Sequence, residues 1–303
     1  MYKFIMIVFV LTGINVYAQT PRIEIKEKGL YPEGAAYDKT RKCFYVSSVT
    51  EGTIGVVDAN GSYKPLYTDS TLQSSFGMKV DDKRNCLWVC AGMRRVLAIS
   101  LPDGKKIQDI DLALVYAGKH FINDLTLDAQ GNIYITDSYS PVIYKVDAGG
   151  KASVFTQSEL FKGLGINLNG VAVSNKGFLL VDNDQAGALY RVDMKSPGQI
   201  TKVAVPTFFP GADGLLLISP DTLVLVQNKS VDKVFELVSA DNWKTARVIA
   251  ATAGADRLQQ PSAVTLANGT LYVLNSKINE LSDPTKKPSP EFSLQEVRFR
   301  PMK

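Results

Sequence analysis

The chain has 303 residues, with 34 Lys and Arg against 30 Asp and Glu, a single His and a formal net charge of +4. So small and scattered a charge excludes a nucleic-acid partner held by a basic stripe. The length fits one large domain or two ordinary ones, and three cysteines are too few, and odd in number, to staple a small disulfide scaffold.

The first residues, MYKFIMIVFVLTGINVYAQ, place Lys3 before an apolar run from Phe4 to Leu11 and a small-residue site ending at Ala18. This is the pattern of a secretory signal peptide over residues 1–18, which leaves residues 19–303 as the mature chain and points to a secreted or periplasmic protein. The run is too short to cross a bilayer and no later segment reaches about 18 uninterrupted apolar residues, so membrane insertion is not expected.

RIEIKEKG follows as an isolated strand pattern. From Pro32 onward one unit recurs: PEGAAYDKTRKCFYVSS, SFGMKVDDKRNCLWVCAG, INDLTLDAQGNIYITDS, LNGVAVSNKGFLLVDN, ADGLLLISPDTLVLVQN and PSAVTLANGTLYVLNS. The copies are spaced by roughly 43 to 49 residues, the period of a four-stranded propeller blade. Each reads as a short apolar strand, a polar turn and a strand rich in Val, Ile, Tyr and Leu, with a third strand ending near Asp or Glu. Fourth strands are expected in links such as KPLYTDS and KASVFTQ. One blade cannot bury both its faces, so the copies should stack into a single all-β domain, a six-bladed β-propeller with four-stranded blades. The last copy finds no finishing strand before SLQEVRF, and the N-terminal RIEIKEKG is expected to close the ring by joining that blade, since an open ring exposes edges.

Cys86 and Cys90 share one strand in CLWVC, which holds them about 13 Å apart, beyond disulfide reach. Buried free thiols are the first reading for Cys43, Cys86 and Cys90, and a Cys43–Cys86 bridge is the alternative.

Aligned on their first strand, the copies open on Glu33, Phe76, Asn123, Asn169, Asp213 and Ser262. The first strand of a blade is innermost, so these residues should ring one mouth of the axial channel. Four of them are oxygen donors. Asn169 is the telling case, because its hairpin already turns at Gly177 and does not need a second Asn-Gly pair. The competing explanation is that Asn-Gly and Asp-Gly favour turns by local preference, but Glu33 is a poor turn former and holds the same register. Two carboxylates and two amide oxygens without His or Cys suit Ca²⁺; Mg²⁺ or Mn²⁺ would use fewer protein ligands, and Zn²⁺ prefers His or Cys.

With these residues in place the chain resembles the calcium-dependent six-bladed propellers of the SMP-30/gluconolactonase group, which includes diisopropylfluorophosphatase and, more distantly, paraoxonases and strictosidine synthases. The resemblance spans about residues 25–298. It rests on PEG at Pro32 to Gly34, IND at Ile122 to Asp124, LNGVAV from Leu168 and ADG at Ala212 to Gly214. It implies that Glu33, Asn123, Asn169 and Asp213 bind the metal and that the protein hydrolyses a small-molecule lactone, ester or phosphoester-type bond. Asp213 would activate water or, as the second option, act as a nucleophile, with Asn123 beside it at the reacting centre. Sugar-lactone members carry an arginine two residues before the first metal-binding Asn, where this chain has Phe121. With Phe76, Phe121 should make the mouth apolar, favouring an alkyl or aromatic lactone over an aldonolactone, with Ser262 completing the substrate contacts. Paraoxonase-like members use a histidine base, which makes His120 a candidate beside a plain loop role. The acidic DND at residues 182–184 reads first as a solvated loop, with a lid loop that contacts metal or substrate as the alternative. A non-catalytic propeller with a structural calcium that binds a ligand or protein is the alternative from a different class.

Overall fold

The computed structural model describes residues 20–302; the expected signal peptide lies outside the described residues. The first strands of the repeats are Ala35–Asp38, Ser75–Asp81, Ile122–Leu127, Leu168–Ser174, Ala212–Ser219 and Pro261–Ala267. Each packs against the next, and the sixth against the first. That cycle surrounds one axis, and the six antiparallel sheets built outward from it are the blades of a β-propeller. The expected outer strands are Tyr63–Thr68 in blade one and Ala152–Gln157 in blade three.

Two strands leave the chain order. Arg22–Ile25 is the outermost strand of blade six, with Arg22 opposite Gln295 and Ile25 opposite Phe292. At the other terminus Arg300–Pro301 adds a fifth strand to blade five beside Arg247–Ala251, which the sequence pattern did not suggest.

Buried side chains form one layer between each pair of neighbouring blades, because alternate residues of a strand face opposite ways. Tyr134 belongs to the layer between blades three and four, whereas Ile135 belongs to the one between two and three. Leu179 and Val181 likewise face blade three, while Phe178 and Leu180 face blade five. The same alternation settles the cysteines: Cys43 lies in the layer between blades one and two, and Cys86 turns into the next layer with Cys90. All three are buried and free, so the alternative bridge is not made.

The layer between blades six and one combines Ile25, Phe44, Leu274 and Phe292. Thr20 accepts a hydrogen bond from Gln295 at 2.6 Å, and Arg22 donates to the Arg257 carbonyl at 2.8 Å. Deleting residues 20–28 removes this strand, its buried Ile25 and these bonds. The expected outcome is a melting temperature lower by at least about 10 °C, at roughly 2–4 °C per kcal/mol for a domain of this size. An unchanged melting temperature would show that the ring does not depend on its N-terminal strand.

Candidate metal centre and cavity

Five of the six inner strands carry a β-bulge at the same place. In blade three the ladder steps from Ile122 opposite Asp137 to Leu125 opposite Ile135, three residues against two. The same slip occurs at Phe76–Gly77, Asn169–Gly170, Asp213–Gly214 and Ser262–Ala263. A bulge unpairs one residue and re-aims its side chain, which is how a residue in a sheet comes to face a channel mouth. In blade one Glu33 and Gly34 stand just before the strand begins, and both of their amides donate to the Ser47 hydroxyl, at 3.1 and 2.7 Å.

The glycine after the donor answers to packing more than to turn formation. A Cβ at Gly170 would collide with the Asp213 carbonyl oxygen and lie 2.8 Å from Asp182 Oδ2; one at Gly214 would lie 2.5 Å from the Ser262 carbonyl oxygen. At these positions the close approach of the neighbouring inner strand leaves no room for a side chain on the residue after the donor.

Glu33, Asn123, Asn169 and Asp213 meet at the floor of a cavity of roughly 250 Å³, together with Phe76, Phe121 and Ser262. Glu33 Oε2, Asn123 Oδ1 and Asn169 Oδ1 are buried and have no hydrogen-bond partner. An unpartnered buried acceptor costs about 1–3 kcal/mol, more when charged, and three such oxygens belong to residues that line one cavity, a donor set that suits a cation. The Asn123 amide is oriented for this, because its Nδ2 donates to Ser138 Oγ at 3.0 Å and leaves Oδ1 free. Asp213 accepts from Asn228 Nδ2 through Oδ2 at 2.5 Å, which leaves Oδ1 for the floor. Among the described residues no three His, Cys, Asp or Glu side chains are grouped to hold a metal, so the set depends on its two amides. A hard, all-oxygen set of this kind fits Ca²⁺ better than Zn²⁺.

Burial pushes the Glu33 carboxyl well above its ordinary range, and the charges of Asp213 and Asp124 push it further while Lys79 opposes them. Asp213 is raised in the same way by burial and by Asp184, against the hydrogen bond from Asn228. Fully buried Asp182 is raised by burial, Asp213 and Asp184, and its Oδ2 has no partner. The floor is a site of crowded negative charge.

Phe76 and Phe121 stack edge to face at 4.8 Å, and Phe121 meets Tyr139 in the same manner at 5.4 Å. With Val49, Ile166 and Ile278 they make one wall of the cavity apolar. His120 is not part of the lining. Its ring turns into blade three, with Nδ1 2.9 Å from Asp137 Oδ2 and 3.3 Å from the Tyr144 hydroxyl, and its side chain is 6% exposed. The expected substrate contact is corrected to a buried one, because the bulge that aims Asn123 at the axis leaves His120 outside the ring.

The expectation of a solvated DND loop is also corrected. Asp182 and Asn183 end the second strand of blade four, and Asp184 follows it; all three are buried. They expose a second ring, missed in the sequence, at the residue after the second strand: Ser138, Asp184, Asn228 and Ser276 stand behind Asn123, Asn169, Asp213 and Ser262. Ser276 bonds Ser262, and Asp184, Asn228 and Ser276 line the cavity. The repeat period that found the first ring would have found this one.

No family model matches the chain, and no curated protein matches its sequence. Solved structures do match its fold. The Malassezia sympodialis allergen Mala s 1 superposes with a TM-score of 0.72 at 17% identity, covering 93% of this chain and 97% of that one. A gluconolactonase from Xanthomonas campestris gives 0.59 at 17% identity, covering 89% and 87%. A luciferin-regenerating enzyme gives 0.64 at 13% identity, covering 92% and 97%. The fold is shared with gluconolactonase-type six-bladed propellers.

Proposed function

We propose that the protein is a metal-dependent hydrolase of the lactonase type, acting on a small, uncharged lactone or ester with an alkyl or aromatic group. The observation that carries this reading is the meeting of three unpartnered buried oxygens with Asp213 on the floor of a half-apolar cavity. A divalent cation bound there, Ca²⁺ before Mg²⁺ or Mn²⁺, supplies Lewis-acid polarisation of the scissile carbonyl. Phe76, Phe121, Ile166 and Ile278 take the apolar part of the substrate and exclude water from that side. Asn123, with its amide nitrogen held by Ser138, and Asp213, held by Asn228, fix the reacting centre at the floor. Ser262 is tied to Glu33, donating to its carbonyl at 2.6 Å. The sequence pattern also supports export of the chain.

The test is hydrolysis of dihydrocoumarin, δ-decanolactone and glucono-δ-lactone by purified protein, before and after EDTA and with Ca²⁺ restored. Turnover of the first two, lost to EDTA and recovered with Ca²⁺, is the expected result. Preference for the gluconolactone would overturn the assignment of an apolar substrate. Absence of turnover on all three, with a melting temperature lowered by EDTA, would replace the hydrolase by a binding propeller that keeps a structural cation.

A further inference from the structure

The cavity holds a third carboxylate that the ring of donors does not use. Asp184 is 4% exposed and belongs to the second ring, not to the bulged positions. Its Oδ1 is paired with the Lys229 ammonium, while Oδ2 makes no hydrogen bond among the described residues. Lys229 is itself placed. Its stem lies over Gly211 (φ +71°), where a Cβ would stand 2.6 Å from Lys229 Cβ and Cγ. The backbone around the pair is tied as well, with the Gly211 amide donating to the Asp184 carbonyl at 3.1 Å and the Asn228 amide to the Gly211 carbonyl at 3.0 Å.

We infer that Asp184 is the base of the site, taking through Oδ2 the proton of the attacking water, and that Lys229 is the positioning residue that orients its other oxygen. The inference rests on the hydrolase reading and adds to it a division of labour between two carboxylates. A carboxylate that ligates a divalent cation loses basicity to that charge, and Asp213 in addition commits Oδ2 to Asn228. Asp184 is not among the four donors, and although Lys229 holds its Oδ1, its Oδ2 makes no hydrogen bond among the described residues. Burial raises its carboxyl above the ordinary range and Lys229 holds it back, which moves it toward the range in which a carboxylate works as a base near neutral pH. The charged and titratable groups around it are Lys229, Asp213 and Asp182. In the step, the water oxygen bonds to the carbonyl carbon as its proton passes to Asp184. The carbon to alkoxy-oxygen bond then breaks and the alkoxide leaves with the proton from Asp184. One ester and one water give one acid and one alcohol, and Asp184 returns to its starting form.

The experiment compares wild type, Asp184→Asn and Lys229→Met, using dihydrocoumarin and δ-decanolactone in saturating Ca²⁺ across pH 5–9. Ca²⁺ affinity is followed separately by the shift in melting temperature. Asp184→Asn is expected to lose about 10²–10⁴-fold in kcat, with KM within about threefold and an unchanged Ca²⁺-induced shift. Lys229→Met should stay active but move the acidic limb of the kcat profile to higher pH, because the removed ammonium favoured the ionised form. Asp184→Asn with wild-type kcat and an intact acidic limb would overturn the inference, as would loss of Ca²⁺ affinity in step with kcat. A wild type inactive on both substrates in Ca²⁺ would overturn the hydrolase reading and this inference with it, whereas an active wild type with an indifferent Asp184→Asn removes only the second.

Discussion

Asp213→Ala is expected to lower kcat/KM by at least about 10³-fold, or about 4 kcal/mol of transition-state stabilisation. Two losses add up at this residue. Asp213 is one of two carboxylates among the four donors, so its removal halves the negative charge that compensates a divalent cation. It is also the acceptor for Asn228 Nδ2 at 2.5 Å, and truncation leaves that amide without its carboxylate. Asn228 keeps a second bond, to the Pro261 carbonyl at 3.0 Å, so the second ring should hold its shape and the blades should stay folded. The check is a Ca²⁺ titration of the variant to about 100-fold above the wild-type requirement. Turnover that stays low when Ca²⁺ binding is saturated places Asp213 at the reacting centre. Turnover restored fully by excess Ca²⁺ reduces it to a ligand, and full activity at the wild-type Ca²⁺ concentration removes it from the site.

The fold was legible because the propeller repeats its own grammar. Strand alternation, the polar turns and a period near 45 residues are local properties, and the six interblade layers follow from which face of each strand is apolar. Glu33, Asn123, Asn169 and Asp213 were legible for the same reason, as departures from an apolar strand at one register. What the sequence concealed is the device that makes the register work. A bulge adds one residue to one strand, leaves no consistent mark in the next position, which is Gly in three blades, Ala in one and Asp124 in blade three, and decides that Asn123 faces the axis while His120, three residues earlier, does not. Asp182, Asn183 and Asp184 concealed themselves differently. Three polar residues in a row look like loop in a single sequence, whereas here two complete a buried strand and the third is tied to Lys229 from the next blade. That partner lies 45 residues away, so no local pattern could supply it.

Stability should fall more steeply with rising pH without a cation than with one, and this follows from the direction of the carboxyl shifts. Glu33, Asp213, Asp182 and Asp124 are all held above their ordinary range, in each case first by burial. Between the ordinary carboxylate range and the raised values the folded chain therefore binds more protons than the unfolded one. In EDTA, stability falls as pH rises through that window. A cation at Glu33 and Asp213 replaces those protons and removes the penalty of ionising them, so its stabilising effect grows over the same interval. At a Ca²⁺ concentration about 1,000 times its dissociation constant the gain is about 4 kcal/mol, or roughly 10 °C in melting temperature. Melting curves at pH 5 and pH 8, each with EDTA or excess Ca²⁺, check both parts. The expected result is a lower melting temperature at pH 8 than at pH 5 in EDTA, and a Ca²⁺ increment larger at pH 8. An increment absent at both values would remove the cation from the floor of the cavity and leave the raised carboxyls to protons alone. An increment equal at both would mean that the cation binds elsewhere, on groups already ionised at pH 5.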